Sequence, residues 1–479
     1  MCTLSQWLSC SCMTLQNEVA STNLYTKTTQ IETAAMSNLK CTHLKDLNKS
    51  AFYLFERLIQ AEEIQYLNNI FHSNGFEIRM AGGAVRDILC NIVPNDIDFA
   101  SDAKPDEMIN ILSDKPDIRL ITTTSGTKHG TVTARIRDIS QYEITTLRID
   151  RNTDGRHAEV EFINDWKLDA SRRDLTINSM FIDLNGILYD YFNGESDLKN
   201  RLIRFVGDAD KRIKEDYLRI FRYFRFHTRF GMAGSHEPQV IDIIQNNIDG
   251  LKTISGERIW SEMKRILMHI KCSDSIEMMF NRLKIGKYLG FTNEIDLTEF
   301  FKVQENLNQT TMIWKVQTLF ASLISDIDEL SSITLRLKLS NIERDTIAYI
   351  ITNRTTNNET MSYDHHLHNL RTRLALAPKP NQKNLKEFMI QFLIYEGKDE
   401  NFINELQQWS IPVFPFNGTM IMDKIRNKKE MGIILEQIRM TWAKQNFTMT
   451  EEQFYNDVDN IVNRIQNNNN NNCQNHNNG

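Results

Sequence analysis

The texture of this chain changes once along its length. From about residue 76 to 192 short β-rich runs dominate: FEIRMAGG, DIDFA, RLITTT, GTVTARI, YEITTLRI and ILYDYF. From about 195 onward apolar residues recur at three- and four-residue steps, as in KEDYLRIFRYFRFHTRF, ERIWSEMKRILMHI and LKEFMIQFLIYE. Side chains alternate faces in a strand and return to one face every 3.6 residues in a helix, so the two periods mark two architectures. The chain therefore predicts an α+β fold, with a small mixed or antiparallel-sheet head followed by an all-helical remainder. GTVTARI and YEITTLRI read as an antiparallel hairpin, and GGAVRDIL as a turn entering a helix. Only 19 glycines and 8 prolines occur in 479 residues, which disfavours a sandwich of many short turns.

Residues 1–45 are rich in Ser, Thr, Cys and Asn and contain no Arg, so they read as a disordered leader or a weak targeting segment. Residues 463–479 are almost all Asn near their end and read as a disordered tail. Lys and Arg number 56 against 62 Asp and Glu, a net charge of −6, so a uniform basic coat is absent and phosphate binding must come from local patches. No apolar run approaches the ~18 residues of a spanning helix, so no membrane partner is expected. The seven cysteines are scattered without a CxxC pair, which fits a reduced intracellular compartment without a disulfide framework or zinc knuckle. Mitochondrion, cytoplasm and nucleus all remain open, as do monomer and homodimer.

Three clusters carry chemistry. The first is Gly82-Gly83-Ala84-Val85-Arg86-Asp87, followed by Asp96-Ile97-Asp98. Glycines at a strand-to-helix turn let backbone approach a phosphate closely, and Arg86 lies one turn into the helix, within reach of the same phosphates. Asp96 and Asp98, two apart on an expected strand, would share a face and could hold Mg²⁺, a hard cation that prefers oxygen ligands. Glu143, on the second arm of the hairpin, could be a third ligand or a base toward a hydroxyl. Each of these carboxylates also has a plainer reading as a solvated strand residue.

The second cluster is Arg172-Arg173-Asp174-Leu175-Thr176-Ile177-Asn178. The arginines could clamp a triphosphate, and Asp174 and Asn178, four apart on an expected helix, could hold a ribose hydroxyl. The third runs from Glu215 to Arg225. Between 201 and 230 nine basic residues face four acidic ones. Asp216 and Arg219 would be neighbours on one helical face, with Arg222 and Arg225 further along, either as plain ion pairs or as readers of a base edge.

Taken in order, GGAVRD…DID, EITTLRID, DGRHAEVEF, RRDLTIN, DYFNGESDLKNRLIRFVGD, EDYLRIFRYFRF and ISGERIWSEMKRIL resemble the class II CCA-adding enzymes, of the eukaryotic type. These are tRNA nucleotidyltransferases of the polymerase β-like superfamily. The resemblance covers roughly residues 75–290 and continues loosely through QQWSIPVFP. It implies a catalytic head at 46–190, a nucleotide-selecting neck at 191–255, a helical body at 256–345 and a tRNA-binding tail at 346–462. Asp96 and Asp98 match the metal ligands. Gly83, Arg86 and Arg173 match positions that bind the triphosphate, and Asp216, Arg219, Arg222 and Arg225 match the helix that selects CTP or ATP. Ser255 to Leu267 matches the segment that braces the neck. The activity implied is addition and repair of the 3′-terminal CCA of tRNA from CTP and ATP, with Mg²⁺ and without a template. The chain departs from the family after its Pro-rich loop, where Gly418 is followed by Thr419 and Met420 instead of a Gly-x-Asp and a Gly-rich turn.

Two alternatives stand beside this. A poly(A) polymerase-type or partial CC- or A-adding enzyme would share the head motifs. A metal phosphoesterase would use Asp364-His365-His366, which instead reads as a loop in a polar stretch.

Overall fold

The structure, a computed structural model, describes residues 40–121, 124–153, 158–354, 362–425 and 427–476. The chain divides into two compact units, with the boundary between Glu262 and Met263. Both the expected head and the expected neck lie in the first.

Ten strands form in the first unit: β1 (Lys40–His43), β2 (Ile78–Ala81), β3 (Asp98–Ser101), β4 (Ile118–Leu120), β5 (Thr131–Ile136), β6 (Ser140–Thr146), β7 (Arg148–Thr153), β8 (Ala158–Phe162), β9 (Phe181–Ile182) and β10 (Ile187–Asp190). Eight make one sheet in the order β1-β10-β9-β2-β3-β6-β5-β4, and β7 and β8 pair separately. Every pairing in the large sheet is antiparallel except β3 with β6. The α+β expectation therefore holds, and the hairpin β5/β6 forms with Thr131 opposite Thr145 and Ile136 opposite Ser140.

Alternation explains the sheet. In β5 Val132, Ala134 and Ile136 are buried while their neighbours are partly exposed. In β6 Tyr142, Ile144 and Thr146 face inward and Glu143 faces out. These apolar faces join Met80, Val85, Ile88, Phe99 and Ile182 in one core. At ~25 cal/mol per Å² of apolar area buried, that shared face is what holds the strands in register.

Several expectations need correction. β1 belongs to the sheet and pairs with β10, so the ordered head takes in residues read as leader; 1–39 lie outside the described residues. RLITTT contributes only Ile118–Leu120, and a short helix follows at Thr124–Lys128. KEDYLRIFRYFRFHTRF is two helices, Ala209–Glu215 and Arg219–Phe230, broken at Asp216, whose backbone is extended. Asp364, His365 and His366 lie in the helix Tyr363–Leu376, with the His366 ring 5.1 Å from that of Phe402. The Asn run is helical as far as His476, continuing a helix that starts at Glu451. Phe454, Val458 and Ile461 anchor that helix in a small core, and propagation past an anchored turn is far easier than nucleation, even for a weak helix former such as Asn.

The second unit is helical throughout its described residues. Ile347, Ile350, Met389, Phe392 and Leu393 are among its buried side chains.

Candidate active site

The sheet puts Asp98 beside Glu143. In the parallel pairing of β3 and β6 they are direct register partners, and both point away from the core face that holds Phe99 and Ile144. Asp96 sits in the bend before β3 and is exposed, so the two aspartates do not share a strand as expected. Neither Asp96, Asp98 nor Glu143 makes an ion pair or a hydrogen bond through its side chain among the described residues. Asp98 keeps an accessible face, yet protein atoms crowd it enough that desolvation pushes its carboxyl above the ordinary range. The negative charges of Glu143 and Asp96 push the same way, and Arg173 opposes them. Three carboxylates turned toward one another without a cation form a site that a hard divalent ion would relieve.

The glycine turn lies next to this group. Gly82 has φ of 63°, and a Cβ there would come within 2.9 Å of the Arg173 guanidinium and 3.5 Å of the Asn178 carbonyl. Only glycine permits both the left-handed backbone and the approach of Arg173. The helix Gly83–Leu89 follows. Arg86 turns inward: it donates to Asp87 Oδ1 at 2.8 Å and Asn178 Oδ1 at 2.6 Å, and its guanidinium lies 4.6 Å from the Phe230 ring. Burial holds its pKa below the usual guanidinium value.

Arg172 and Arg173 follow the helix Trp166–Ser171 instead of opening one. Both grip Asp169, Arg172 Nε at 2.8 Å and Arg173 Nη2 at 3.1 Å. Burial alone would raise Asp169, but the charges of Arg173 and Arg172 and the Arg148 N–H outweigh it, so its carboxyl sits below the ordinary range. Asp174 and Asn178 are not on one helix either, since Asp174 is a bend residue ahead of the short 3-10 turn Thr176–Asn178. They still meet, Asn178 Nδ2 donating to Asp174 Oδ1 at 3.2 Å. The other Asp174 oxygen accepts from Arg222 Nε at 2.6 Å. Desolvation of Asp174 is likewise outweighed, by Arg222, Asn178 and the Leu175 N–H, and its pKa falls.

The neck helix Arg219–Phe230 carries arginines at 219, 222, 225 and 229 on a body of Ile220, Phe221, Tyr223 and Phe224, all buried. Asp216 and Arg219 are not helical neighbours. Asp216 Oδ1 accepts from the Leu218 N–H at 3.1 Å and Oδ2 from Arg258 at 2.7 Å. Arg219 donates to Glu215, to the Arg212 carbonyl at 2.8 Å and to the Arg172 carbonyl at 3.3 Å. Arg225 pairs with Glu262 at 3.2 Å, and Arg229 reaches Asp87 at 3.2 Å. A continuous chain of polar contacts thus runs Arg229–Asp87–Arg86–Asn178–Asp174–Arg222, tying the glycine-turn helix to the neck.

Sequence reasoning did not single out Asp169, Arg258 or Glu262. Asp169 was findable, because it lies three and four residues before Arg172 and Arg173 on one helical face. Arg258 and Glu262 meet Asp216 and Arg225 across 42 and 37 residues, with no local signal.

This arrangement defines a nucleotidyltransferase-type head, and the comparisons agree. The Poly A polymerase head domain profile matches residues 78–204, and that of the probable RNA and SrmB-binding site of polymerase A matches 236–283. The mitochondrial CCA tRNA nucleotidyltransferase 1 of Homo sapiens is 41% identical over 411 residues, 84% of this chain and 92% of the relative. That of Danio rerio is 40% identical over 389 residues, 81% and 88%. The chain belongs to the CCA-adding tRNA nucleotidyltransferase family. In fold it matches the Bacillus stearothermophilus CCA-adding enzyme solved with CTP, at a TM-score of 0.65 and 22% identity over 85% of this chain and 98% of that one. It also matches the Thermotoga maritima enzyme solved with tRNA, at 0.60 and 19% over 88% and 99%.

Proposed function

We propose that the protein adds and repairs the 3′-terminal CCA of tRNA, taking CTP and then ATP at one site without a nucleic-acid template. The observation that carries this is the bonding of the neck to the phosphate segment, Arg219 to the Arg172 carbonyl and Arg222 to Asp174. It holds a row of base-reading candidates beside Arg173 and the glycine turn, so base and triphosphate are gripped by one rigid body.

In the reaction the 3′ hydroxyl of tRNA attacks the α-phosphorus, and the bond to the pyrophosphate oxygen breaks. Asp98 and Asp96 would hold Mg²⁺, with Glu143 as a third ligand or as the base that takes the hydroxyl proton. When bound, the metal lowers the pKa of the attacking hydroxyl and neutralises the leaving pyrophosphate. Arg173, poised over Gly82, supplies positive charge to the phosphates, and Asp169 keeps it there. Gly83 leaves the backbone open to the same phosphates. Arg86 and Asn178 set the position of that turn from behind, and Asp174 does so for Arg222.

Cytosine and adenine each present an exocyclic amine beside a ring-nitrogen acceptor. Asp216 accepts from the amine and Arg219 donates to the acceptor, while Arg222 and Arg225 complete a positive wall. Guanine and uracil place a carbonyl where the amine would be, opposing oxygen to oxygen. The helical tail supplies tRNA binding, and the names of the animal relatives favour a mitochondrial pool, which organelle fractionation would test. No described helix is long and apolar enough to cross a membrane.

The deciding experiment incubates tRNA lacking its 3′ end with each nucleotide separately and together, then sequences the product ends. CC from CTP alone and CCA from both are expected. The match to a Poly A polymerase head favours a second reading, addition of A alone to many RNAs. Runs of A on unrelated RNA, without C on tRNA, would establish that reading and remove ours.

A further inference from the structure

The reading row is held at both ends by one helix that touches neither base nor phosphate in the scheme above. Asp216 is not oriented by helical geometry, because it occupies the break between two helices with φ of −157° and ψ of 105°. Two donors orient its carboxylate instead. The Leu218 N–H takes one oxygen and the Arg258 guanidinium takes the other. Each oxygen keeps a second lone pair, so the carboxylate can still accept from a base amine while its plane is fixed.

Arg258 comes from the helix Gly256–Leu267, whose Ile259 and Trp260 are buried and leave it little freedom to shift. Four residues on, and therefore on the same face, Glu262 holds Arg225 at 3.2 Å and is only 4% exposed. One helix face thus offers a cation to the anion at the start of the row and an anion to the cation at its end. That order of charges accepts the row in one register only, since a shift by one turn would set like charges together.

We infer that Arg258 is a positioning residue for nucleotide choice: it aims the Asp216 carboxylate, with Glu262 fixing the far end of the row through Arg225. The inference rests on the reading of Asp216 as the acceptor for the base amine. A residue that merely braced the fold would lower incorporation of all four nucleotides together. A residue that aims Asp216 changes their ratio.

The test measures kcat/KM for CTP, UTP, ATP and GTP on tRNA ending before its CCA or at CC, in Arg258→Ala, Arg258→Gln, Arg258→Lys, Asp216→Ala and the Arg258→Ala/Asp216→Ala double variant. Circular dichroism and Tm establish which variants fold. In Arg258→Ala and Arg258→Gln the preference for CTP over UTP and for ATP over GTP is expected to fall by roughly tenfold or more, the size of one mispaired buried polar group. Arg258→Lys recovers part of it. Adding Arg258→Ala to Asp216→Ala changes the preference little, because the group being aimed is already gone. If Arg258→Ala and Arg258→Gln leave both ratios intact while Asp216→Ala relaxes them, Asp216 reads bases unaided and the inference is overturned alone. If Asp216→Ala also leaves the ratios intact, the base-reading assignment fails and takes this inference with it.

Discussion

Two sets of aspartates in the first unit meet opposite fates. Asp98, with Asp96 and Glu143 for neighbours, is left among like charges, and its carboxyl is pushed up. Asp169 and Asp174 are almost fully enclosed, yet both are pulled down by the arginines that grip them. Burial raises a carboxylate pKa in every case, so the neighbouring charges decide the sign. Asp169 and Asp174 stabilise the fold and place Arg173 and Arg222. Asp98 does the reverse: it stores electrostatic repulsion that a bound cation would release.

The sharpest way to break this contrast is to remove the unpaired set. Asp98→Ala or Asp96→Ala is expected to lower single-turnover addition by about a thousandfold or more, the scale of losing metal assistance, while filter binding of tRNA stays near wild type. Wild-type turnover in either variant would remove the metal-site assignment.

The paired set should fail differently. Asp174→Ala leaves the Arg222 guanidinium half-buried without its anion, and breaking a buried pair from one side costs ~3 kcal/mol. Denaturant unfolding of the variant should show that loss, with tRNA addition falling only as far as folded protein is lost or Arg222 is displaced. An unchanged midpoint would mean that Arg222 finds other partners.

A smaller effect concerns selection. Asp216→Ala should relax exclusion of UTP and GTP by ten- to a hundredfold, the scale of one or two mispaired groups. Sequenced product ends containing only C and A would move Asp216 out of the base-reading role.

The smallest effect is a pH signature. Asp169 and Asp174 ionise more readily folded than unfolded, so their contribution is complete above the ordinary carboxylate value of about 4 and is lost as pH falls below it through their folded values. Asp98 ionises less readily folded, so it takes stability away as pH rises through its folded value, above about 4. Asp98→Asn should therefore raise Tm slightly at neutral pH in EDTA while abolishing addition, and Mg²⁺ should close the gap in the wild type. A lower Tm for Asp98→Asn would show that Asp98 is a structural carboxylate.

Much of this was legible without coordinates. The alternating runs of β5 and β6 announced the hairpin, and the order of GGAVRD, DID, RRDLTIN and EDYLRIF announced the chemistry. Reasoning from spacing failed where two residues were assumed to ride on one element. Asp96 and Asp98, Asp174 and Asn178, Asp216 and Arg219 each straddle the end of a strand or helix. Element ends are set by capping and by long-range contacts, which local periodicity does not encode.

What the sequence alone determined is the set of elements and the residue types available to the site, because period and turn chemistry are local properties of the chain. What only the tertiary structure decided is which charges meet. Glu143 reaches Asp98 through a parallel pairing of non-consecutive strands, and Arg258 reaches Asp216 from a separate helix. Whether a carboxylate becomes a cation site or half of an ion pair depends on the charge within a few ångströms of it, and that is fixed only when distant segments pack.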